Sequence, residues 1–162
     1  MKITKLICNG ILGVLLVGGV AVCTYAQAQE KPWTKPLFIS SQKVEAFYKH
    51  PVPIPDLADG VSGAAKYRVR VGHHDGPMEA EIHMVDTDIF FVTSGEATLV
   101  VGGKVVDAHP IGEPFEWRGT AIEGGTTYQL KKGDIMIVPP GVPLQFKNIP
   151  AAPFLYVLIK VQ

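Results

Sequence analysis

The chain of 162 residues carries 15 basic and 15 acidic side chains, so its formal net charge at pH 7 is zero. Without a basic stripe, neither nucleic acid nor an anionic membrane surface is expected as a partner. Both cysteines, Cys8 and Cys23, lie near the N-terminus. If the chain is cleaved after Cys23, the remaining protein has no thiol for a disulfide, a thiolate metal site or a cysteine nucleophile.

Residues 1–28 have the features of a cleavable export signal. Two lysines in the first five residues supply a basic start, and a largely apolar run extends from Leu6 to Val22. Ala26-Gln27-Ala28 then offers the small-x-small pattern of a cleavage site. The run is short for a membrane anchor, and no basic stop-transfer cluster follows it. We predict cleavage after Ala28 and a secreted or periplasmic protein without membrane attachment. The alternatives are a retained anchor and a lipoprotein processed at Cys23.

Residues 29–62 are predicted to form an N-terminal arm with one short helix. Ser40 or Ser41 can cap this helix, and Val44, Phe47 and Tyr48 recur at helical spacing. The prolines at positions 51, 53 and 55 end the helix and require an extended connection.

Residues 63–162 are predicted to form one all-β domain, because short runs of β-forming residues alternate with turns containing Gly or Pro. We predict strands at 66–71, 79–84, 88–93, 97–101, 126–130, 134–138, 144–148 and 154–161. A loop is predicted at 72–77, and turns are predicted at 94–96 and 102–103. Many short strands with almost no helix indicate a sandwich or a barrel.

Two of these strands, Ile89–Val92 and Leu155–Ile159, are apolar on both faces. Such strands need cover on both sides, which either a second sheet or a partner subunit can provide. We therefore expect a homodimer.

Two motifs in the β-rich region resemble those of the cupin superfamily. The first motif of that superfamily has a glycine, His-x-His, a glutamate and a second glycine, and the corresponding positions here are Gly76, Glu81, His83, Asp88 and Gly95. The second motif keeps Gly133, Pro139, Gly141 and Asn148, but Leu144 stands where cupins have a histidine.

This resemblance extends over residues 67–161 and implies a small single-domain cupin. The implied fold is a double-stranded β-helix, or jelly-roll barrel, here with a short N-terminal helical arm. Dimers are common among such cupins, which agrees with the doubly apolar strands. The segment 116–125 resembles an insert of small cupins. Because cupins have many unrelated functions, neither the motifs nor the insert implies an activity.

The first motif predicts a metal site made by Glu81, His83 and Asp88. Residues two apart on a strand project to the same face, so Glu81 and His83 should point together into the barrel. A turn of four residues then lets Asp88 approach from the adjoining strand. One imidazole and two carboxylates suit Mn²⁺, Fe²⁺ or Zn²⁺. Open coordination positions would accept water or substrate, and Glu81 would then be either a ligand or a general base.

Leu144 leaves this site incomplete and the function open. Glu81, His83 and Asp88 could instead form a hydrogen-bonded polar cluster in a metal-free barrel that binds a small polar ligand or only self-associates. Whether the protein is an enzyme is undecided on these residues. No Ser-His-Asp arrangement or nucleotide fingerprint is recognisable, so no catalytic residue is assigned and no nucleotide cofactor is expected.

Two arginines are further candidates for the interior of the barrel. Arg68 and Arg118, like Leu144, could line it, and an arginine there could clamp a carboxylate or a phosphate. A solvated outer face is the preferred interpretation for both arginines, as it is for Arg70.

The remaining polar candidates are predicted to have structural or solvated positions. His73 and His74 are expected to be solvated in a loop. Asp86 and Thr87 are expected to hold a turn through bonds from side chain to backbone. Gln145 is expected to point to the opposite strand face from Leu144.

Overall fold

The computed structural model describes residues 14–17, 20–23, 36–49, 56–62, 65–111 and 113–162. The chain divides into two compact units, residues 1–31 and residues 32–162. In the first unit, β1 (Val14–Val17) pairs antiparallel with β2 (Val20–Cys23). The predicted cleavage site at 26–28 and the prolines at 51, 53 and 55 lie outside the described residues. Within the described ranges, no helix is long and apolar enough to cross a membrane.

The second unit begins with the predicted helix, α1 (Ser41–Tyr48). Ser40 is its N-cap, and the Ser40 hydroxyl accepts a hydrogen bond from the Lys43 N–H at 3.2 Å. At the other end, the Tyr48 hydroxyl lies 3.0 Å from Thr93 Oγ1, and the Tyr48 carbonyl lies 2.8 Å from His73 Nδ1. Tyr48 therefore attaches the helix to the β-sheet.

The rest of the unit is built from antiparallel strands. They are β3 (Asp56–Ser62), β4 (Ala65–His74), β5 (Ala80–His83), β6 (Thr87–Val101), β7 (Lys104–Val106), β8 (His109–Ile111), β9 (Glu113–Gly119), β10 (Ala121–Glu123), β11 (Thr126–Lys131), β12 (Ile135–Val138) and β13 (Leu144–Val161). The strand β3 lies within the predicted arm and pairs with β4.

Two long strands, β6 and β13, organise the sheet. They pair with each other over most of their length, while β11 and β12 flank β6, and β4 and β5 flank β13. On the far side of β5, the sheet continues through β9 to β8. The strands β7 and β10 form a separate two-stranded ribbon. This topology confirms the predicted all-β jelly-roll.

The predicted turn at 94–96 is wrong, because β6 continues through it. Gly95 has a φ of 78°, and a Cβ atom at this position would lie 2.5 Å from the Pro153 carbonyl oxygen. The glycine therefore lets β6 change direction against β13 without ending. The separation of 144–148 from 154–161 is also wrong, because register shifts within β13 keep one strand paired with β6.

The core lies between the two halves of the bent sheet. Its centre is aromatic, where Phe146 lies 5.9 Å from Phe90, 5.3 Å from Phe154 and 5.8 Å from Tyr156, centroid to centroid. A second buried cluster contains Ala80, Val100, Val105 and Ile122, because the β7–β10 ribbon covers the opposite face of β6. The half of β6 that contains Val100 is therefore covered on both faces by other strands of the same chain.

Candidate metal-binding site

Strand pairing brings the site residues together at one end of the barrel. On β5 and β9, Glu81 lies directly opposite Arg118 and His83 lies directly opposite Glu116. The first residue of β13, Leu144, lies opposite Glu81. Directly opposed residues share a face of the sheet, so these five side chains belong to one surface.

These side chains surround a cavity of about 30 Å³, which has room for a bound ion or for about two waters. Its other lining residues are Arg70, Met78, Phe90, Phe146, Tyr156, Leu158 and Lys160. A larger pocket of about 210 Å³ shares His83 and Glu116 with this cavity. Arg68, Val85, Asp86, Phe115 and Gln162 line its remaining walls. His83 and Glu116 therefore line both spaces.

His83 is the centre of the polar cluster. Its Nε2 atom lies 3.5 Å from Glu81 Oε2 and 3.4 Å from Glu116 Oε1. One ligand atom from each of these three residues lies within 4.8 Å of the other two. Two ligands bound to one tetrahedral ion at about 2.1 Å are separated by about 3.4 Å. The two distances from Nε2 match this separation, so the three atoms lie close enough together to share one divalent ion.

Asp88 lies on the other side of the His83 ring. Its Oδ2 atom is 2.5 Å from His83 Nδ1, and its Oδ1 atom is 3.0 Å from Lys160 Nζ. Metal-binding histidines usually donate their second N–H to a carboxylate, which fixes the tautomer and the ring orientation. Asp88 thus occupies the position of an orienting residue, and Glu116 is the third side chain that faces the same space as Glu81 and His83.

A chain of ion pairs continues behind Asp88 and ends at the half-exposed Arg68. The Lys160 ammonium also lies 3.2 Å from Asp86 Oδ2, and the same oxygen is 3.2 Å from Arg68 Nη2. Gln162 donates to the other oxygen of Asp86 at 2.7 Å. The prediction that Asp86 holds a turn is therefore wrong, because its carboxylate is taken by a lysine, an arginine and an amide from distant strands.

The surroundings of His83, Glu116 and Glu81 shift the pKa values of these three groups in different ways. Burial on its own lowers the pKa of His83, but hydrogen bonds to Asp88 and Glu116 outweigh it and raise the pKa to about 9. The hydrogen bond to His83 holds the pKa of Glu116 at about 2, assisted by Arg118. Burial raises the pKa of Glu81, against the opposing effect of Arg118. Two carboxylates of one site thus differ in proton affinity, as in acid–base pairs.

Arg118 belongs to the cavity wall. Its Nη2 atom lies 2.6 Å from Glu116 Oε1, and its Nη1 atom lies 3.4 Å from Glu81 Oε2. The solvated position preferred for this arginine is therefore wrong, and so is the same preference for Arg70, which also lines the cavity. Arg68 is 36% exposed and lines the larger pocket, against Asp86.

His74 is also placed differently from the prediction. It ends β4 rather than lying in a solvated loop, and its Nε2 atom is 2.8 Å from the Tyr156 hydroxyl. Its ring packs on Phe146 and Tyr156. Burial, followed by the charge of His73, lowers the pKa of His74 to about 4.

Leu144 and Gln145 have the predicted orientations. Leu144 is buried and lines the cavity beside the acidic residues. Gln145 points the other way, where it accepts a hydrogen bond from the Ile122 N–H at 3.1 Å and donates to the Met78 carbonyl at 3.0 Å.

Glu116 is the site residue that the motifs did not include. Glu116-x-Arg118 has the same spacing as Glu81-x-His83, so alternation along a strand could have indicated that both pairs project to one face. That signal does not identify which strands are neighbours.

Comparison with solved structures identifies the fold. A protein from Neisseria meningitidis aligns with 78% of this chain and 100% of its own, at 13% identity and a TM-score of 0.51. A Klebsiella pneumoniae protein with a double-stranded β-helix domain aligns over 78% of this chain and 90% of its own, at 21% identity and a TM-score of 0.47. No protein-family model and no curated protein matches the sequence.

A third similar structure is hydroquinone 1,2-dioxygenase from Sphingomonas sp., solved with 4-hydroxybenzoate bound. The chain spans 59% of that protein's length and aligns over 59% of its own, at 13% identity and a TM-score of 0.44. The strand topology, together with the alignment over the whole Neisseria protein, defines the class of fold: an all-β double-stranded β-helix, or jelly-roll barrel.

Proposed function

We propose that the protein binds a divalent metal ion in the barrel through His83, Glu81 and Glu116. The observation that carries this proposal is the convergence of one ligand atom from each residue within 4.8 Å. Two carboxylates and an imidazole suit borderline and hard divalent ions, with Mn²⁺, Fe²⁺ and Zn²⁺ as the candidates.

Asp88 supports the same proposal from behind the ring. Because it is 2.5 Å from Nδ1, it directs Nε2 of His83 towards the two glutamates. Lys160 in turn holds the second oxygen of Asp88 at 3.0 Å. A divalent ion at this position would polarise an oxygen ligand or lower the pKa of bound water. Glu81, buried and raised in pKa, would then be a ligand or a general base.

Metal titration of the purified protein tests this function. We expect isothermal titration calorimetry with Zn²⁺ and Mn²⁺ to give saturable binding at one site per chain. His83→Ala should abolish it, whereas Glu96→Ala, which removes an exposed carboxylate on β6, should not. Asp88→Asn should weaken binding by about 10- to 100-fold. A wild-type protein that binds neither ion would contradict the proposal.

A metal-free barrel that binds a small polar ligand is the second candidate. Leu144 supplies no ligand atom, and the cavity wall already contains the cations of Arg118 and Lys160. These cations offset the charges of Glu81 and Glu116 without an ion. Absence of metal binding, together with a wild-type fold in His83→Ala, would favour this candidate.

We also propose export of the protein, on the basis of the signal-like residues 1–28. N-terminal sequencing of material from the expressing cell should give Gln29 as the first residue. Intact Met1 on exported protein would contradict this.

The outer face of the sheet supports a homodimer as the assembly. Two cross-strand rows, Ile135–Phe91–Val157 and Ile137–Ile89–Ile159, lie side by side on it. Ile135, Ile137 and Phe91 are 55%, 58% and 47% exposed. Since these six side chains carry no charge, two copies can oppose this face across a two-fold axis without burying an ion there.

A further inference from the structure

Arg118 contacts the two carboxylate oxygens that face His83. Its Nη2 atom lies 2.6 Å from Glu116 Oε1, and its Nη1 atom lies 3.4 Å from Glu81 Oε2. The same two oxygens are the ones that lie 3.4 and 3.5 Å from His83 Nε2. The guanidinium and a bound metal ion would therefore use the same donor atoms.

The contact with Glu81 is not a hydrogen bond. Nη1 of Arg118 is buried, and among the residues that the structure describes it has no hydrogen-bond partner. A buried N–H without a partner is destabilising, so the guanidinium is held mainly by charge and by its single close contact with Glu116. The ammonium of Lys160, by contrast, has close acidic partners. It lies between Asp86 and Asp88, behind the His83 ring.

We propose that Arg118 is an internal competitor for the metal site: a cation tethered on β9 that occupies the ligand oxygens of Glu81 and Glu116 and must move away when a divalent ion binds. This inference rests on the proposed metal-binding function. It makes Arg118 a residue that sets metal affinity without being a ligand. The physical reason is that a cation on the shared oxygens repels a second cation and must be displaced from its carboxylate partners.

Calorimetric titration of Zn²⁺ and Mn²⁺ into the full chain tests the proposal. Arg118→Met keeps an apolar stem and removes the charge, and we expect it to bind at least about ten times more tightly than wild type, a gain of about 1.4 kcal/mol. Arg118→Lys retains a tethered cation and should gain less. Lys132→Met removes one positive charge from an exposed turn and should bind like wild type. Arg118→Gln provides a second neutral variant if the methionine variant does not fold.

The opposite role for Arg118 gives the opposite result. If the guanidinium only orients Glu81 and Glu116 as metal ligands, its removal would weaken binding, and the proposal would be overturned. Equal affinities in wild type and both neutral variants would overturn it as well, while leaving the metal site intact. If neither wild type nor any variant binds an ion, the proposed function fails and this inference fails with it.

Discussion

At the scale of single residues, position 144 decides how complete the ligand set is. Leu144 lies opposite Glu81 in the β5–β13 pairing and lines the same cavity as His83. A histidine at this position would add a neutral nitrogen donor to two carboxylates and one imidazole. The leucine thus keeps the cavity wall apolar at the position where the motif would provide a ligand.

We expect Leu144→His to bind Zn²⁺ or Mn²⁺ at least about tenfold more tightly than wild type, or about 1.4 kcal/mol. Titration calorimetry measures this difference. Combining the substitution with His83→Ala should remove the gain, because a single imidazole would again be present. Unchanged affinity in Leu144→His would show that residue 144 does not contribute to the site.

His74 is a second residue whose environment has a measurable consequence. Its pKa falls from an ordinary value of 6.5 to about 4 in the folded protein, chiefly because of burial. The unfolded chain therefore binds a proton more readily than the folded one between these values. The stability associated with neutral His74 is fully present above about pH 6.5 and is lost as the pH falls towards about 4.

We expect the free energy of unfolding to fall by about 2 kcal/mol between about pH 7 and about pH 4.5 through His74 alone. His74→Phe keeps a ring against Phe146 and Tyr156 and should show a smaller loss over the same interval. Chemical denaturation of both proteins at each pH isolates the contribution, since other titrating groups are common to both. Parallel pH profiles would contradict the assignment.

At the scale of elements, the bend of β6 depends on Gly95. Its φ of 78° lies in the left-handed region, and the backbone of Pro153 and Phe154 on β13 lies next to it. A side chain at position 95 would be strained by this φ and would also clash with the backbone of β13. The element is therefore one bent strand and not two strands joined by a turn.

Gly95→Ala should lower the free energy of unfolding by more than about 2 kcal/mol. Gly102→Ala is the matched control, because Gly102 has a φ of 80° but an added Cβ atom there would meet nothing within 4 Å. The control should cost about 1 kcal/mol from conformation alone. Denaturant titration of both variants separates the two contributions, and equal losses would show that the approach of β13 is unimportant.

At the scale of the whole molecule, cover for the sheet differs between its two halves. The β7–β10 ribbon packs over Val100, whereas Phe91, Ile135 and Ile137 remain exposed on the half formed by β6 and β12. The segment of β6 that the sequence predicted to need cover on both faces, Ile89–Val92, belongs to the exposed half, and the half around Val100 lies outside that prediction. A second copy is the proposed cover for the exposed half.

If the proposed homodimer forms through this face, we expect Ile137→Glu to convert it to a monomer at micromolar concentration, because a carboxylate would be buried at the interface. Sedimentation velocity measures the change. Met84→Glu places the same charge at another exposed apolar residue, 45% exposed after β5, and should leave the dimer intact. A wild-type protein that sediments as a monomer would contradict the proposed assembly.

The sequence by itself determined the fold class and part of the site. Alternation along short strands, the Ser40 cap of α1 and the spacing of Glu81 and His83 are local patterns, and local patterns specify strand faces and helix ends. They therefore placed Glu81 and His83 on one surface, whereas Leu144 was placed beside them by the resemblance of the second motif. They also predicted a turn at Gly95 that does not exist, since a glycine within a strand has the same local signature as a turn.

Only the tertiary structure decided the rest of the site. Glu116 and Arg118 join it because β9 pairs with β5 in one register, and a shift of one residue would turn both side chains to the other face. Asp88 lies behind the His83 ring because β6 and β13 bring it against Lys160. Pairing between distant strands is set by the packing of the whole barrel, so local spacing could bring Asp88 near His83 but could not assign Glu116, Arg118 or Lys160 to their contacts.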